Sequence, residues 1–307
     1  MNLELKHVGI GLFLSAMSAS ASLYIPPVGG WLHAYDGSVD PTTVGWAHNN
    51  GSDAWDGSGL SSGVNGGGAE VQTQGGDTYW RISDRLSGGS PNQKIFFHRV
   101  LSEGLPVDPL APGGPGVTIH LRSRLPTQAV GNGFFANPDG FPPSSGQFNG
   151  AGMFEVFTGD RGNPDTTKAI GLSLHEQGGL KGIWLNGAAD GGSTHQVIPL
   201  ADVTAWQEVW ATVAPISGTT HEVNLYLNGS TTALTYTVDS GGHNIEGSSV
   251  FTPSIGMGVP STGGQAEFDV DFFNVSFGTF VPVSVPEPSV AVLIFLGALG
   301  LHLRRRR

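Results

Sequence analysis

Three carboxylates, Glu267, Asp269 and Asp271, alternate with Phe268, Val270 and Phe272 toward the end of the chain's polar body. On a β-strand, residues i, i+2 and i+4 point to one face. The spacing therefore expects the acids on one side and the apolar residues against a core. Carboxylates gathered this way can serve as general acid and base. They can equally form the solvated outer face of a closing strand, and the sequence leaves both readings open.

Metal chemistry has a second set of residues. Asp36-Gly37-Ser38-Val39-Asp40 puts oxygen ligands at alternate positions, and Asn49, Asn50, Asp53 and Asp56 follow in a Gly-rich stretch. Calcium suits such oxygen clusters, so Asp36 and Asp40 are the metal candidates; no other cofactor is called for. The stretch lacks the central Gly and terminal Glu of an EF-hand loop, and Asp and Asn are also ordinary turn formers. His175-Glu176 has no second His at zinc-protease spacing, and no Ser sits in a G-x-S-x-G turn. No Gly-rich stretch follows a strand and opens a helix, so no phosphate cradle is expected. The chain has no Cys, which removes disulfides, Cys-ligated zinc and thiol catalysis.

A binding surface is suggested by residues 126–150, where Phe134, Phe135, Phe141 and Phe148 stand among Gly, Pro, Asn and Asp. A loop of this length without a strand pattern is often functional. Its aromatic rings could stack on sugars, or tuck under the loop as Phe commonly does. Trp80, Trp206 and Trp210 fall in alternating segments and are expected in the core. Trp46 and Trp55 lie in Gly/Asn/Asp-rich sequence and are left open.

The elements that must position these residues are strands. Val117-Thr118-Ile119-His120-Leu121-Arg122 and His221-Glu222-Val223-Asn224-Leu225-Tyr226-Leu227 alternate with period two. The second ends in Asn228-Gly229, a strong hairpin signal, with a return strand expected over Thr231–Val238. Further strands are expected at 79–82, 94–101, 153–158, 170–175, 182–185, 207–213, 254–257 and 265–275. No capped 3.6-residue pattern appears between the two ends. The 48 Gly and 20 Pro among 307 residues serve as turns. The expected class is all-β, a two-sheet antiparallel jelly-roll sandwich. Residues 22–285 carry nine basic and 23 acidic groups, a net charge of −14. Such a body repels phosphate backbones and argues against nucleic acid as a partner.

Both ends read as addresses. Lys6 precedes an apolar run, Val8–Met17, and the small residues Ser18 to Ser22. This is the plan of a secretory signal, with Ala19-Ser20-Ala21 as the cleavage site and the cut after Ala21. The other reading is a buried N-terminal helix. At the other end, Val285-Pro286-Glu287-Pro288-Ser289 leads into the apolar run Val290–Leu303 and then Arg304, Arg305, Arg306 and Arg307. This resembles the PEP-CTERM sorting signal of Gram-negative bacteria, which implies an exosortase-type processing enzyme as partner. His302 departs from an otherwise apolar run. Fourteen residues make about 21 Å of helix at ~1.5 Å each, against a hydrocarbon core of ~30 Å. The run suits transient retention before processing, the alternative being an uncleaved tail anchor.

The order Trp206-Gln-Glu-Val-Trp210-Ala-Thr-Val213, His221-Glu-Val-Asn-Leu-Tyr-Leu-Asn-Gly229, Ser254-Ile-Gly-Met-Gly258 and Glu267-Phe-Asp-Val-Asp-Phe-Phe273 adds a second resemblance. It is similar to the concanavalin A-like lectin/glucanase superfamily, above all its laminin-G-like branch. Trp31-Leu-His-Ala-Tyr35-Asp-Gly37 and Gly45-Trp46 look like the opening strand of such domains. The resemblance implies a lectin-like binding or structural module, or a glycoside hydrolase. Laminarinase-type hydrolases of the superfamily carry a Glu-x-Asp-x-Glu strand whose outer glutamates act as nucleophile and acid/base; here the third position is Asp271.

The organisation expected is a signal peptide over 1–21, a β-sandwich over 22–283 and a sorting tail over 284–307. The function expected is an exported protein of the cell surface, envelope or exopolysaccharide matrix. Its sandwich would be a non-catalytic carbohydrate-binding or structural module, the alternatives being a glycoside hydrolase using Glu267, Asp269 and Asp271 or a protein-binding adhesion module. Its partners would be signal peptidase and the secretion machinery, the exosortase, extracellular polysaccharide and, transiently, the inner membrane.

Overall fold

Alternation builds the central strands. Val117, Ile119 and Leu121 turn to one side and are buried, while Thr118, His120 and Arg122 turn to the other. Val209, Ala211 and Val213 answer them on the adjacent strand, with Val209 opposite Leu121 and Ala211 opposite Ile119. Each fully buried side chain of this size contributes roughly 1.5–3 kcal/mol.

The computed structural model describes residues 22–48, 68–84, 95–100, 109–126, 151–158, 168–177, 180–187, 196–239, 254–259 and 266–285. The first strands in chain order are β1 (Tyr24–Ile25), β2 (His33–Tyr35), β3 (Ala47–His48), β4 (Gly68–Gln74), β5 (Asp77–Asp84) and β6 (Ile95–Val100). Then follow β7 (Val117–Arg124), β8 (Ala151–Thr158), β9 (Lys168–Gln177), β10 (Leu180–Gly187), β11 (Gln196–Pro199) and β12 (Gln207–Ser217). The last are β13 (Thr220–Leu227), β14 (Leu234–Asp239), β15 (Ser254–Val259), β16 (Ala266–Phe277) and β17 (Val283–Ser284). The described residues include one short 3-10 helix, Pro41–Val44.

Two large antiparallel sheets result. One has seven strands in the order β11-β10-β9-β8-β15-β6-β3. The other has eight, β14-β13-β12-β7-β16-β5-β4 with β2 pairing the second half of β16. Trp80, Ile82, Leu121, Val209, Phe268 and Phe273 from the larger sheet meet Phe97, Ile170, Leu172, Leu174, Ile183 and Met257 from the smaller in one core. Two sheets sharing a core through their inner faces make a β-sandwich, the all-β class the alternation implied. Trp46 joins that core too, edge-on to Phe273.

A second, smaller cluster covers part of the outer face of the eight-stranded sheet. Tyr24, Trp210 and Tyr226 are buried there, with Trp31 packed against them. Trp210 is thus buried, as expected, but outside the inter-sheet core, because it alternates with Val209 and Ala211. β1 pairs with β17 as a separate two-stranded sheet, Tyr24 opposite Ser284 and Ile25 opposite Val283.

The Asn228-Gly229 signal is a turn, with φ of 51° and 84° and Ser230 N donating to Leu227 O at 3.0 Å. The return strand starts later than expected, at Leu234, because Tyr24 occupies the turn. Its hydroxyl accepts from Gly229 N at 3.0 Å and donates to Ser230 O at 3.1 Å.

Candidate functional site

The outer face of the eight-stranded sheet concentrates charge where β4, β5, β7 and β16 lie side by side. Arg81 on β5 and Arg124 on β7 flank Asp269 on β16, opposite it in the two registers. Arg81 donates through Nε to Asp269 Oδ1 at 2.7 Å and through Nη2 to Oδ2 at 3.0 Å. Arg124 donates through Nε to Asp269 Oδ2 at 2.9 Å and through Nη2 to Gln74 Oε1 at 3.0 Å. The Asp269 side chain is 0% exposed, the two arginine side chains 17% and 18%. Two residues away on the same two strands, Arg122 Nη1 donates to Asp271 Oδ2 at 3.0 Å.

Aromatic rings cover the guanidinium groups. Trp206 lies 4.3 Å from the Arg124 guanidinium carbon and 5.2 Å from that of Arg122. The Tyr79 ring lies 4.9 Å from Arg124 and 5.6 Å from Arg81. Arginine over an aromatic face is attracted by the ring quadrupole. Trp206 is half-buried on this outer face instead of in the core where alternation put it. Just ahead of β12, it shares the parity of Glu208 and Trp210, which the pleat turns to the outer face.

Beside these groups is a depression of about 320 Å³ lined by Gln72, Thr73, Gln74, Arg81, Arg124 and Thr204, with Leu125 and Pro126 at its edge. Asp202 holds Thr204 in place, accepting from its backbone N at 2.8 Å and its hydroxyl at 2.6 Å. Those hydrogen bonds, the hydroxyl's first, hold the Asp202 carboxyl below its ordinary value. The arrangement presents guanidinium, amide and hydroxyl donors together beside an aromatic wall. It suits a polar ligand with oxygen acceptors, above all one with a carboxylate, which guanidinium recognises in its plane.

The sequence candidates fall as follows. Asp269 and Asp271 lie on this face. A β-bulge between Val270 and Phe272 on β16 leaves Asp271 without an opposite residue on β7. The pleat therefore changes phase, and Phe272 faces outward against the His120 ring at 4.6 Å instead of packing in the core. Glu267 is opposite Ser83, and its side chain lies outside the described residues. Asp36 Oδ1 accepts from Ser38 N and Oγ at 3.0 and 2.7 Å, and Asp40 Oδ1 from Thr42 N and Oγ1, both at 2.8 Å. Asp40 thereby caps the 3-10 helix. Among the described residues, no group of three or more His, Asp or Glu side chains could hold a metal ion. Phe134, Phe135, Phe141 and Phe148 lie outside the described residues, as do Ala19, Ala21, Pro286, Glu287, Pro288 and Arg304 to Arg307. No helix of the described residues is long and apolar enough to cross a membrane.

Arg81, Arg122 and Arg124 were missed from sequence. A signal for them exists: Arg122-Ser123-Arg124 puts two of the body's nine basic residues on one face of one strand.

The fold is similar at low identity to several solved structures. A carbohydrate esterase from Shiga toxin-encoding bacteriophage phi24B matches with a TM-score of 0.44 and 13% identity, over 81% of this chain and 99% of that one. The endo-β-1,4-glucuronan lyase of the fungus Trichoderma reesei matches with a TM-score of 0.43 and 11% identity, over 83% and 98%. The alginate lyase Aly36B, in complex with an alginate tetrasaccharide, matches with a TM-score of 0.40 and 9% identity, over 83% and 98%. No curated protein matches the sequence. Residues 284–307 match the PEP-CTERM protein-sorting motif, which marks this as an exported protein sorted by an exosortase to the cell surface or envelope.

Proposed function

We propose that the β-sandwich is a non-catalytic carbohydrate-binding module displayed outside the cell, and that its ligand is a polysaccharide bearing carboxylates. The observation that carries this reading is the convergence of Arg81 and Arg124 on Asp269 beside the depression. Arg81, Arg122 and Arg124 stand three against Asp269 and Asp271 in the paired cluster itself, with Glu70 opposite Arg81 and Asp202 on Thr204 at its margin. A cluster of guanidinium groups of that kind meets a carboxylate through directed hydrogen bonds at contact range. The repulsion of the distant acids is screened beyond about 8 Å at physiological salt.

Gln72, Gln74, Thr73 and Thr204 supply neutral donors and acceptors for hydroxyl groups, and half-buried Trp206 supplies a flat apolar face, with buried Tyr79 behind the guanidinium groups. The carboxylates on this face serve as counter-ions. Asp269 is enclosed by two guanidinium groups and Asp271 is paired with a third. A catalytic carboxyl must reach the bond that it cleaves, so carboxylates taken up by guanidinium groups favour binding over hydrolysis. The sorting motif puts such a module at the cell surface or envelope. Affinity electrophoresis of the processed protein through gels containing a polyuronate or a neutral glucan tests it. Retardation by the polyuronate alone is expected; equal mobility in both gels, or release of cut products, overturns it.

A further inference from the structure

The first described residues are held like a bound ligand. Ser22 Oγ donates to Glu208 Oε1 at 2.9 Å, and Leu23 N donates to Oε1 at 2.9 Å and Oε2 at 3.0 Å. Tyr24 is buried against Trp210 and the edge of His120, and its hydroxyl closes the Asn228-Gly229 turn. Chain ends are commonly frayed unless something ties them down. Here Ser22, Leu23 and Tyr24 are tied in succession, and Ser22 directly follows the cleavage site expected from the sequence.

Glu208 is 2% exposed, and a buried carboxylate needs a countercharge. Among the described residues, its side-chain partner able to carry positive charge is His120, whose Nε2 lies 2.8 Å from Oε1. A free amine on Ser22 would be a second. Covalent geometry keeps that nitrogen within ~3.7 Å of the Leu23 nitrogen, and so near the carboxylate that already holds Leu23.

We propose that Glu208 is the receptor carboxylate for the N-terminus created by cutting after Ala21, and that docking of this N-terminus fixes where the sorting tail leaves the domain. The second half follows from β1 and β17. Val285 N donates to Leu23 O at 2.8 Å, and Tyr24 is opposite Ser284, the first residue matched to the sorting motif. β17 has no other strand partner among the described residues. The residues just after the expected leader cut and those at the start of the sorting motif therefore lie side by side, about one strand spacing apart, ~4.8 Å. Removal of the leader sets the strand against which the start of the sorting tail is held.

The test uses the full precursor, secreted by a bacterium with its own signal peptidase. Mass spectrometry should place the mature N-terminus at Ser22. In limited reductive methylation, with the Lys181 amine as internal reference, Glu208→Gln should raise the relative labelling rate of the Ser22 amine at least about fivefold, as a lowered amine pKa requires. Hydrogen exchange at Leu23 and Val285 should accelerate together. A mature end elsewhere, or a Ser22 amine and Val285 amide unchanged by Glu208→Gln, overturns the proposal. Should Glu208→Gln fail to fold, two alanines inserted between Ala21 and Ser22 provide the second arm. The displaced amine should then label faster than in the parent protein; an unchanged rate overturns the proposal equally.

Discussion

Arg124 donates from Nε to Asp269 Oδ2 at 2.9 Å, so a guanidinium of the outer sheet face is held in place by a carboxylate with no exposed surface. The carboxylate is held in turn by Arg81 from the opposite strand. Three strands thereby fix one charged group whose outer edge borders a depression. A binding group fixed this way loses little side-chain freedom on meeting a ligand.

Replacing Asp269 by Asn should leave two neighbouring guanidinium groups without their shared counter-ion. The expected cost is ~3 kcal/mol, the scale for breaking a buried pair from one side. Urea denaturation should show a lower midpoint with unchanged slope. Asp271→Asn, at a more exposed pair, should cost no more than ~1 kcal/mol. Equal losses for the two variants would contradict the assignment of Asp269 as the centre.

Much of this face was legible in sequence. Val117 to Arg122 and Gln207 to Val213 alternate without interruption, and the strands lie where the pattern puts them. Two kinds of feature were not legible. The bulge at Asp271 depends on pairing with β7, a long-range condition that strict alternation cannot encode, so Phe272 was turned inward by rule and outward by structure. The burial of His120 and Glu208 depends on residues 22–31 folding back over a face that each strand, read alone, gives to solvent. β4 escaped because Gly68-Ala-Glu-Val-Gln-Thr-Gln74 has little apolar content, as an edge strand paired only with β5 allows.

Gly37 is a point of close approach to that bulge. Its φ is +73°, and a Cβ there would strike the carbonyl oxygens of Asp271 and Val270. Both neighbours are backbone and cannot swing aside. Gly37→Ala should therefore cost ~2 kcal/mol or more, combining a left-handed conformation with a clash. Gly75→Ala has φ of +65° with nothing near its Cβ; it should cost about 1 kcal/mol. Thermal melts of the pair separate strain from collision.

Alkaline pH should unfold the protein through its tyrosines. Burial raises the phenols of Tyr24 and Tyr35 well above the ordinary 10.0. A group with a raised folded value gives stability that is complete below the unfolded value. That stability is lost as pH rises from 10.0 toward the folded values. Phenolate absorbance should therefore rise for these two residues only with loss of β-sheet circular dichroism. Tyr24→Phe should move that transition to higher pH while weakening the Asn228-Gly229 turn at neutral pH. Smooth titration of all tyrosines near 10 in the folded state would contradict it.

Trp206→Ala should remove the wall over Arg124 and Arg122 without touching the inter-sheet core. Its expected cost in stability is ~1–2 kcal/mol, for two cation–π contacts. Ligand binding should weaken about tenfold, as for an aromatic group at the margin of a site. Tryptophan fluorescence on titration with a uronic-acid oligosaccharide should change in the parent protein, and much less in the variant.

The most direct measurement is isothermal titration of the processed protein with a defined uronic-acid oligosaccharide and with its carboxyl-reduced neutral counterpart, each against Arg124→Ala. The account predicts saturable binding of the acidic oligosaccharide, at least tenfold weaker binding of the reduced one, and loss of that difference in Arg124→Ala. Equal affinity for both sugars, or full discrimination retained by Arg124→Ala, would contradict it.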